Sequence, residues 1–291
     1  MKREVITITA VFEAASLNYA EGFSNTSELK KMTRESGLYT YLSRQAIAFN
    51  LKEAMNAADS NLSLDGKVIQ YDPNMTIEES IEQDLFGYLI TSVKPTLKRP
   101  AVVRINSAVS CEPFKYDTDF LANLSMLDRF NKANPDKALT GGQLASSEIH
   151  KSYYVYSITV DLFNVGIDKD RKTEISKSKK IERVHLLLDA INDLTRDIKG
   201  RRENLKPVFI VGMRSNKLCA AFENRIKIKN NKLNLELLED AIEEYGDDVK
   251  VGMLRNIFNN HDEIAKKIEF KNVFKVIKEL KEEVTKYYES N

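Results

Sequence analysis

Alternating apolar residues predict the strands of this chain. Residues 4–13 place Ile6, Ile8, Ala10 and Phe12 on one side of a half-buried strand. Residues 153–163 read Tyr-Tyr-Val-Tyr-Ser-Ile-Thr-Val-Asp-Leu-Phe, and this density of β-branched and aromatic residues is typical of a strand. Residues 101–112 and 207–212 predict two further strands.

Helical spacing of apolar residues predicts two helices among these strands. The first covers about 43–58, with Ser43 as a possible N-cap and one apolar face formed by Ile47, Leu51, Ala54, Met55 and Ala58. The second covers about 179–199 and uses Gly200 as its C-cap. Residues 14–40 are a polar connection and 59–100 a loop-rich insertion, while two or three amphipathic helices follow residue 233.

The predicted order is strand, helix, strand, strand, helix, strand. This is the split βαβ pattern of an α+β, ferredoxin-like fold, which the RNA recognition motif also uses. The aromatic signature of that motif does not occur in the sequence, and the fold alone leaves function open.

Composition and charge narrow the range of possible locations and ligands. No run approaches the roughly 20 apolar residues of a membrane helix, and Cys111 and Cys219 form no paired motif, so we expect a cytoplasmic protein without a membrane partner. Residues 160–232 hold 18 Lys and Arg against 10 Asp and Glu, whereas residues 233–291 hold 9 against 14. Such a basic region fits a phosphate-binding groove, and a solvated charged face explains the charge equally well.

Five segments in register resemble a known family: 17–26 (Leu-Asn-Tyr-Ala-Glu-Gly-Phe-Ser-Asn-Thr), 37–46 (Gly-Leu-Tyr-Thr-Tyr-Leu-Ser-Arg-Gln-Ala), 84–88 (Asp-Leu-Phe-Gly-Tyr), 107–114 (Ser-Ala-Val-Ser-Cys-Glu-Pro-Phe) and 117–120 (Asp-Thr-Asp-Phe). In this order they resemble the DevR-type RAMP proteins of CRISPR systems, the backbone ("Cas-seven") subunits of Cascade, and are most similar to type I-B. The resemblance covers about residues 1–230.

The resemblance implies a hand-shaped protein around a guide RNA. The ferredoxin-like palm is expected at 1–58, 101–127 and 152–232, a finger insertion at 59–100, a thumb loop at 128–151 and a helical C-terminal region at 233–291. The implied partners are crRNA, target DNA through the crRNA, further copies of the chain and other Cascade subunits. The resemblance also implies that copies stack head to tail and that each thumb presses between bases.

Candidate RNA-binding residues combine this resemblance with side-chain chemistry. Amide and ammonium donors suited to phosphates and ribose hydroxyls stand in the loop after the first strand, at the start of the first helix and after the second helix. The thumb positions follow from the resemblance alone. The full set is Asn18, Asn25, Lys30, Lys31, Ser43, Arg44, Gln45, Lys52, Thr140, Gln143, Leu144, His150, Gly200, Arg201 and Arg202.

A non-catalytic binding subunit without a cofactor or metal is the first expectation. Type III backbone relatives cut RNA with an aspartate after the first strand, and residues 14–40 contain Glu21, Glu28 and Glu35 but no aspartate. The alternatives are a RAMP endoribonuclease that processes pre-crRNA through a histidine and a DNA-binding autoregulator. His150 borders the thumb, where contact with RNA or solvent is favoured over catalysis.

Overall fold

A computed structural model describes residues 2–20, 22, 24–34, 37–141 and 144–290. The helices are α1 (Arg44–Ala54), α2 (Ile81–Phe86), α3 (Leu124–Ala133), α4 (Lys177–Asn192), α5 (Leu235–Tyr245), α6 (His261–Lys267) and α7 (Val273–Glu289). The strands are β1 (Val5–Ala15), β2 (Thr26–Ser27), β3 (Lys31–Arg34), β4 (Gly37–Leu42), β5 (Leu62–Asp65), β6 (Val68–Tyr71), β7 (Tyr88–Ile90), β8 (Leu97–Arg99), β9 (Val103–Ile105), β10 (Ala108–Ser110), β11 (Thr118–Ala122), β12 (Leu144–Glu148), β13 (Lys151–Asp161), β14 (Ile167–Asp168), β15 (Thr173–Glu174), β16 (Thr195–Ile198), β17 (Arg201–Asn204), β18 (Phe209–Ser215), β19 (Ile228–Lys229), β20 (Lys232–Leu233) and β21 (Lys250–Met253).

The main sheet is antiparallel and runs in the order β21-β18-β1-β13-β10-β4-β3, with β9 also paired to β13. Its centre is the long β1–β13 pair, which runs in register from Val5 opposite Asp161 to Ala15 opposite Lys151. The strands predicted around 4–13, 153–163 and 207–212 are therefore confirmed as β1, β13 and β18. The protein is of mixed α and β structure.

Alternation along β1 buries both faces of the sheet. Ile6, Ile8 and Phe12 pack with α1, α4 and α7 in one core. Val11 lies on the opposite face, where Phe209 of β18 packs with α5 and α6 in a second core. Every described helix is too short or too polar to span a lipid bilayer.

Helix α1 begins as its sequence predicts. The Ser43 side chain accepts a hydrogen bond from the backbone N–H of Ala46, and Ile47, Leu51 and Met55 are buried. Ala58 lies beyond the end of the helix at Ala54, so the apolar face is shorter than the spacing indicated.

The strand predicted at 101–112 is divided into β9 and β10. Ile105 lies opposite Ile158, and Val109 lies opposite Val155, so one extra residue is accommodated between the two strands. A bulge of this kind bends a strand and redirects its side chains. Here the Ser107 Oγ accepts a hydrogen bond from the backbone N–H of Arg44 at the start of α1.

Three sequence predictions of loops or helices are wrong. The polar connection 14–40 contains β2 and the β3–β4 hairpin, because β4 pairs with β10 and extends the main sheet. The second helix ends at Asn192, and β16 and β17 form a separate hairpin. The C-terminal region is not wholly helical, since β21 pairs with β18 at the edge of the main sheet.

The 59–100 insertion is anchored by a buried carboxylate. It consists of the β5–β6 hairpin, α2 and the β7–β8 hairpin. Asp84 of α2 is fully buried between Arg99 and Arg183, each with a nitrogen 2.7 Å from a carboxylate oxygen. The Asp84 carboxylate also accepts the N–H of Gly166 at 2.8 Å. The insertion is thereby joined to α4 and to the segment after β13.

A second unit, β11–α3–β12 (residues 118–148), projects from the main sheet. β11 pairs antiparallel with β12, and β12 pairs in parallel with β2. The predicted loop at 128–151 is therefore built from a strand and the second half of a helix, and it shares its small sheet with residues 118–122. Gln143 lies outside the described residues.

Candidate nucleic-acid interface

The loop after β1 is attached to strand β12. The backbone N–H of Ser146 donates to the Asn25 carbonyl at 2.9 Å, and the hydroxyls of Thr26 and Ser146 lie 2.9 Å apart. The Lys30 N–H donates to the Asn18 carbonyl at 2.8 Å. The Leu29 N–H, next to Lys30, donates to the Glu148 side chain at the end of β12 at 2.7 Å, so the structure brings Asn25 and Lys30 to the strand that also contains Leu144. The Asn18 side chain is buried beside them, with 8% of the residue exposed.

The β16–β17 hairpin also reaches strand β12, through its turn. Ile198 lies opposite Arg201, so Lys199 and Gly200 form a two-residue turn, with φ of 46° and 75°. Positive φ at both positions is the requirement of a type I′ hairpin turn, which explains the glycine. The interpretation of Gly200 as a helix C-cap is wrong.

Lys199 is the turn residue that contacts β12 and Tyr19. Its Nζ lies 2.8 Å from the Ser147 Oγ in β12 and 3.8 Å from the centroid of the Tyr19 ring. Partial burial, with a smaller contribution from Arg201, lowers the pKa of Lys199. The sequence analysis did not select this lysine, although Lys-Gly before two arginines was a signal for a turn.

Arg201 and Arg202 stand beyond the turn, each in an ion pair. Arg202 binds Asp197 across the hairpin at 2.7 Å with both side chains exposed, whereas Arg201 lies 3.1 Å from Glu203, whose side chain is 17% exposed and also accepts the Ala15 N–H. Because an exposed pair contributes little to stability, a phosphate can replace the Asp197 carboxylate at small cost. Arg202 is therefore the more readily available anion contact, and Arg201 is partly exposed beside it.

Two candidate lysines are instead held by buried carboxylates. The Lys31 Nζ lies 2.6 Å from Glu148, whose side chain is 4% exposed, and 5.0 Å from the Phe114 ring centroid. The Lys52 Nζ lies 2.6 Å from Glu82 of α2. These contacts assign Lys31 and Lys52 to holding β3 against β12 and α1 against α2.

The start of α1 forms a separate exposed surface. Arg44 and Gln45 are exposed, and the Arg44 guanidinium has no ion-pair partner among the described residues. The loop after β1 meets α1 further along, where Arg196 donates to the Leu17 carbonyl and to the Asn50 side chain, both at 2.9 Å. The structure therefore does not join Arg44 directly to Asn18 and Asn25.

His150 lies at the base of the β11–α3–β12 unit. Its Nδ1 is 2.7 Å from the Thr40 Oγ1, and its backbone N–H donates to the Ser16 Oγ. Burial lowers the pKa of His150 below its ordinary value of 6.5, against an opposing contribution from Glu112. The ring is therefore neutral at physiological pH.

The β11–α3–β12 unit exposes apolar side chains, which sequence patterns did not reveal. Phe120 is 64% exposed, Leu121 52% and Met126 57%, and no residue of α3 is buried. Leu144 and Thr140 are exposed beside them. The β5–β6 hairpin exposes a second apolar set: Leu62, Leu64, Val68 and Ile69. Exposed apolar side chains that cluster on a protein surface mark interaction sites.

Comparison with known proteins places the chain in a family. The family model described as "CRISPR-associated negative auto-regulator DevR/Csa2" matches residues 6–236, while no curated protein matches. One similar solved chain, from a "CRISPR RNA-guided surveillance complex, pre-nicking", has 11% identity and a TM-score of 0.65, covering 96% of this chain and 100% of its own length. Another, from a "CRISPR RNA-guided surveillance complex", has 14% identity and a TM-score of 0.59, covering 95% and 99%. At these identities the likeness shows a shared fold, and the family match over most of the length identifies this chain as a member of the DevR/Csa2 family of CRISPR-associated proteins.

Proposed function

We propose that this protein is the crRNA-binding backbone subunit of a Cascade surveillance complex of the cytoplasm. The observation that carries the proposal is the convergence of three elements around β12. The loop after β1, the β16–β17 turn and the β11–α3–β12 unit meet there and supply Lys30, Lys199, Arg201 and Arg202. Family membership and the fold shared with RNA-guided surveillance complexes support the same function.

The proposed palm is ferredoxin-like, with finger and thumb insertions. The strand order β18-β1-β13-β9/β10, with α1 and α4 on one face, supports this assignment. The finger is residues 59–100, and the thumb is the β11–α3–β12 unit, residues 118–148. The region after residue 233 adds a strand and three helices to the palm.

Binding in this proposal is directed at the RNA backbone. Lysine and arginine side chains beside a glycine turn suit phosphates, which are the same for every guide sequence. Bases that the protein does not contact stay free to pair with target DNA. Further copies of the chain and other Cascade subunits are the proposed partners of the exposed apolar surfaces on the thumb and finger.

A binding role without catalysis agrees with the surroundings of the three histidines. His150 bonds to Thr40, the His185 Nε2 lies 2.9 Å from the Lys281 carbonyl, and the His261 Nδ1 accepts the Asn256 N–H. Each histidine therefore has a structural contact. Among the described residues, His, Cys, Asp and Glu side chains form no group of three able to hold a metal ion.

The test is to purify the full chain and measure its binding to RNA. We expect nearly equal affinity for RNAs of different sequence, with affinity falling steeply as salt is raised because phosphate contacts dominate. Intact repeat RNA after incubation separates this function from an endoribonuclease. A shift of the protein's own promoter DNA at lower concentration than RNA would favour an autoregulator and contradict the proposal.

A further inference from the structure

A chain of hydrogen bonds connects the core of the palm to His150. The Tyr154 hydroxyl in β13 lies 2.8 Å from the Thr40 Oγ1 in β4, and that oxygen lies 2.7 Å from the His150 Nδ1. Tyr154 is fully buried, stacked on Phe12, and Thr40 is 3% exposed. Each hydroxyl has one proton to place, and water does not compete for either.

The direction of this chain follows from the need to satisfy both hydroxyl protons. If Tyr154 donates to Thr40, the Thr40 hydroxyl is free to donate to the His150 Nδ1, and both protons have acceptors. If His150 donates instead, Thr40 must turn its proton to Tyr154, whose own proton then has no acceptor among the described residues. A buried unsatisfied donor costs about 1–3 kcal/mol, so the first direction is favoured.

We propose that Tyr154 and Thr40 hold His150 as the neutral tautomer with its proton on Nε2, and that this N–H donates to an oxygen of the bound RNA backbone. The donor role rests on the proposed function, whereas the tautomer rests on the hydrogen bonds alone. Thr40 and Tyr154 are positioning residues, because they fix the ring without contacting the ligand. His150 is half-buried at the thumb base, where its edge meets Phe114.

Two charged groups lie near the ring. Glu112 follows β10 and favours protonation of His150. Lys31 lies 5.0 Å from the centroid of the Phe114 ring, which contacts His150, and its charge is paired with Glu148. Burial and the engaged Nδ1 therefore determine that the ring stays neutral.

This tautomer also determines what His150 cannot do. A general base needs a free nitrogen lone pair, and the Nδ1 lone pair is occupied by Thr40 while Nε2 carries the proton. A general acid needs the protonated ring, which burial disfavours. His150 is consequently a hydrogen-bond donor for RNA rather than a catalyst of RNA cleavage.

The tautomer is tested without RNA, by ¹⁵N NMR of the full chain labelled at histidine, with His150→Gln used to assign the signals. We expect an unprotonated Nδ1 and a protonated Nε2 in the wild type. Thr40→Val removes the hydroxyl that donates to Nδ1 and should weaken the preference for the Nε2–H form. Tyr154→Phe should keep that form, because the Thr40 proton then has the His150 Nδ1 as its acceptor among the described residues. Tyr156→Phe is the control for loss of a buried hydroxyl, because the Tyr156 hydroxyl is buried without a hydrogen-bond partner in the described structure.

A protonated Nδ1 in the wild type would overturn the assignment, even if Thr40→Val failed to fold. The donor role is tested by RNA affinity, because glutamine can place an N–H where His150 has Nε2–H and alanine cannot. We expect a severalfold loss for His150→Ala and near wild-type affinity for His150→Gln. Equal affinity of all three proteins would overturn the donor role and leave the tautomer, whereas a wild type that binds no RNA would overturn the proposed function.

The bound oxygen is identified by comparing RNA with DNA of the same sequence. A penalty for His150→Ala on RNA alone indicates a ribose 2′-hydroxyl, which DNA lacks. An equal loss of affinity for the RNA and for the DNA indicates a phosphate oxygen. Either result supports the donor role.

Discussion

Lys199 and Ser147 join the β16–β17 hairpin to the thumb, with the Nζ of the lysine 2.8 Å from the Oγ of the serine. The same ammonium group lies over the ring of Tyr19, in the loop after β1. One side chain thus connects the three elements that form the proposed RNA site.

The first prediction concerns this lysine. Lys199→Met keeps the aliphatic stem over Tyr19 and removes the charge. We expect RNA affinity to fall about tenfold, since a charge-assisted hydrogen bond contributes about 1.5–3 kcal/mol. The salt slope, which is the slope of log affinity against log salt concentration, should decrease in magnitude by about one. Fluorescence anisotropy with labelled RNA over a salt series measures both quantities.

The control for Lys199 is Lys267→Met. Lys267 of α6 forms an exposed pair with Glu239, away from the thumb. It should retain wild-type affinity and slope. If both variants lowered RNA affinity and the salt slope equally, Lys199 would contribute only to the overall charge of the protein and not to a specific RNA contact.

The second prediction separates Arg44 from Lys52. The sequence predicts that Arg44 contacts an RNA phosphate at the start of α1, so Arg44→Ala should lower the salt slope by about one without changing sequence preference. Stability should be unchanged, because Arg44 is exposed. Lys52→Ala should leave the slope unchanged and destabilise the protein by about 1–3 kcal/mol, since Glu82 loses its partner. Anisotropy and urea denaturation provide the two measurements.

The matched control is Lys52→Ala combined with Glu82→Gln. A neutral partner removes the unpaired charge, so most of the lost stability should return. A slope reduced by Lys52→Ala in a stably folded protein would place Lys52 in the RNA site after all.

The sequence predicted the central strands well because their signal is local. Burial on both faces gives β1 and β13 their dense apolar and β-branched composition. The β3 strand, Lys31–Arg34, was missed because it is a polar edge strand with no buried residue. The short β16 was read as helix because Leu194 and Ile198 happen to continue the helical spacing.

Site residues were harder to predict, because their roles depend on distant partners. Lys31 is neutralised by Glu148, 117 residues away, and Lys52 by Glu82, 30 residues away. Nothing near either lysine in the sequence shows these carboxylates. Lys199 was missed for the converse reason, since its contacts with Ser147 and Tyr19 exist only after folding.

The third prediction tests the anchoring of the finger. Asp84→Asn leaves Arg99 and Arg183 buried without their carboxylate, so we expect a loss of about 3–5 kcal/mol in the free energy of unfolding. Asp197→Asn breaks an exposed pair with Arg202, so its effect on the free energy of unfolding should be far smaller. Similar losses in the two variants, measured by urea denaturation, would contradict the anchoring role.

The fourth prediction concerns pH. Because the pKa of His150 is lowered in the folded state, the unfolded chain binds its proton first as pH falls. His150 therefore contributes stability above its ordinary pKa of 6.5, and this contribution is lost below that pH. Unfolding free energies measured at about pH 7.5 and about pH 5 should differ less in His150→Gln than in the wild type. His261→Gln is the control, and equal pH dependence in His150→Gln and the wild type would contradict the prediction.

The fifth prediction concerns assembly of several copies on one RNA. Phe120 and Leu121 of the thumb are exposed, as are Leu64 and Ile69 of the finger, and a contact between two different surfaces of successive copies generates an open helical array. Leu121→Ser should leave stability within about 0.5 kcal/mol, because its side chain is largely exposed, while reducing the number of copies bound to a long RNA.

Analytical ultracentrifugation on a short and a long RNA distinguishes the effects: binding of a single copy should stay close to wild type, and the multi-copy species should decrease. Phe274→Ser on α7 is the matched control, since Phe274 is also exposed but belongs to neither the thumb nor the finger. If Leu121→Ser assembled as fully as Phe274→Ser and the wild type, Leu121 would have no part in the contact between copies.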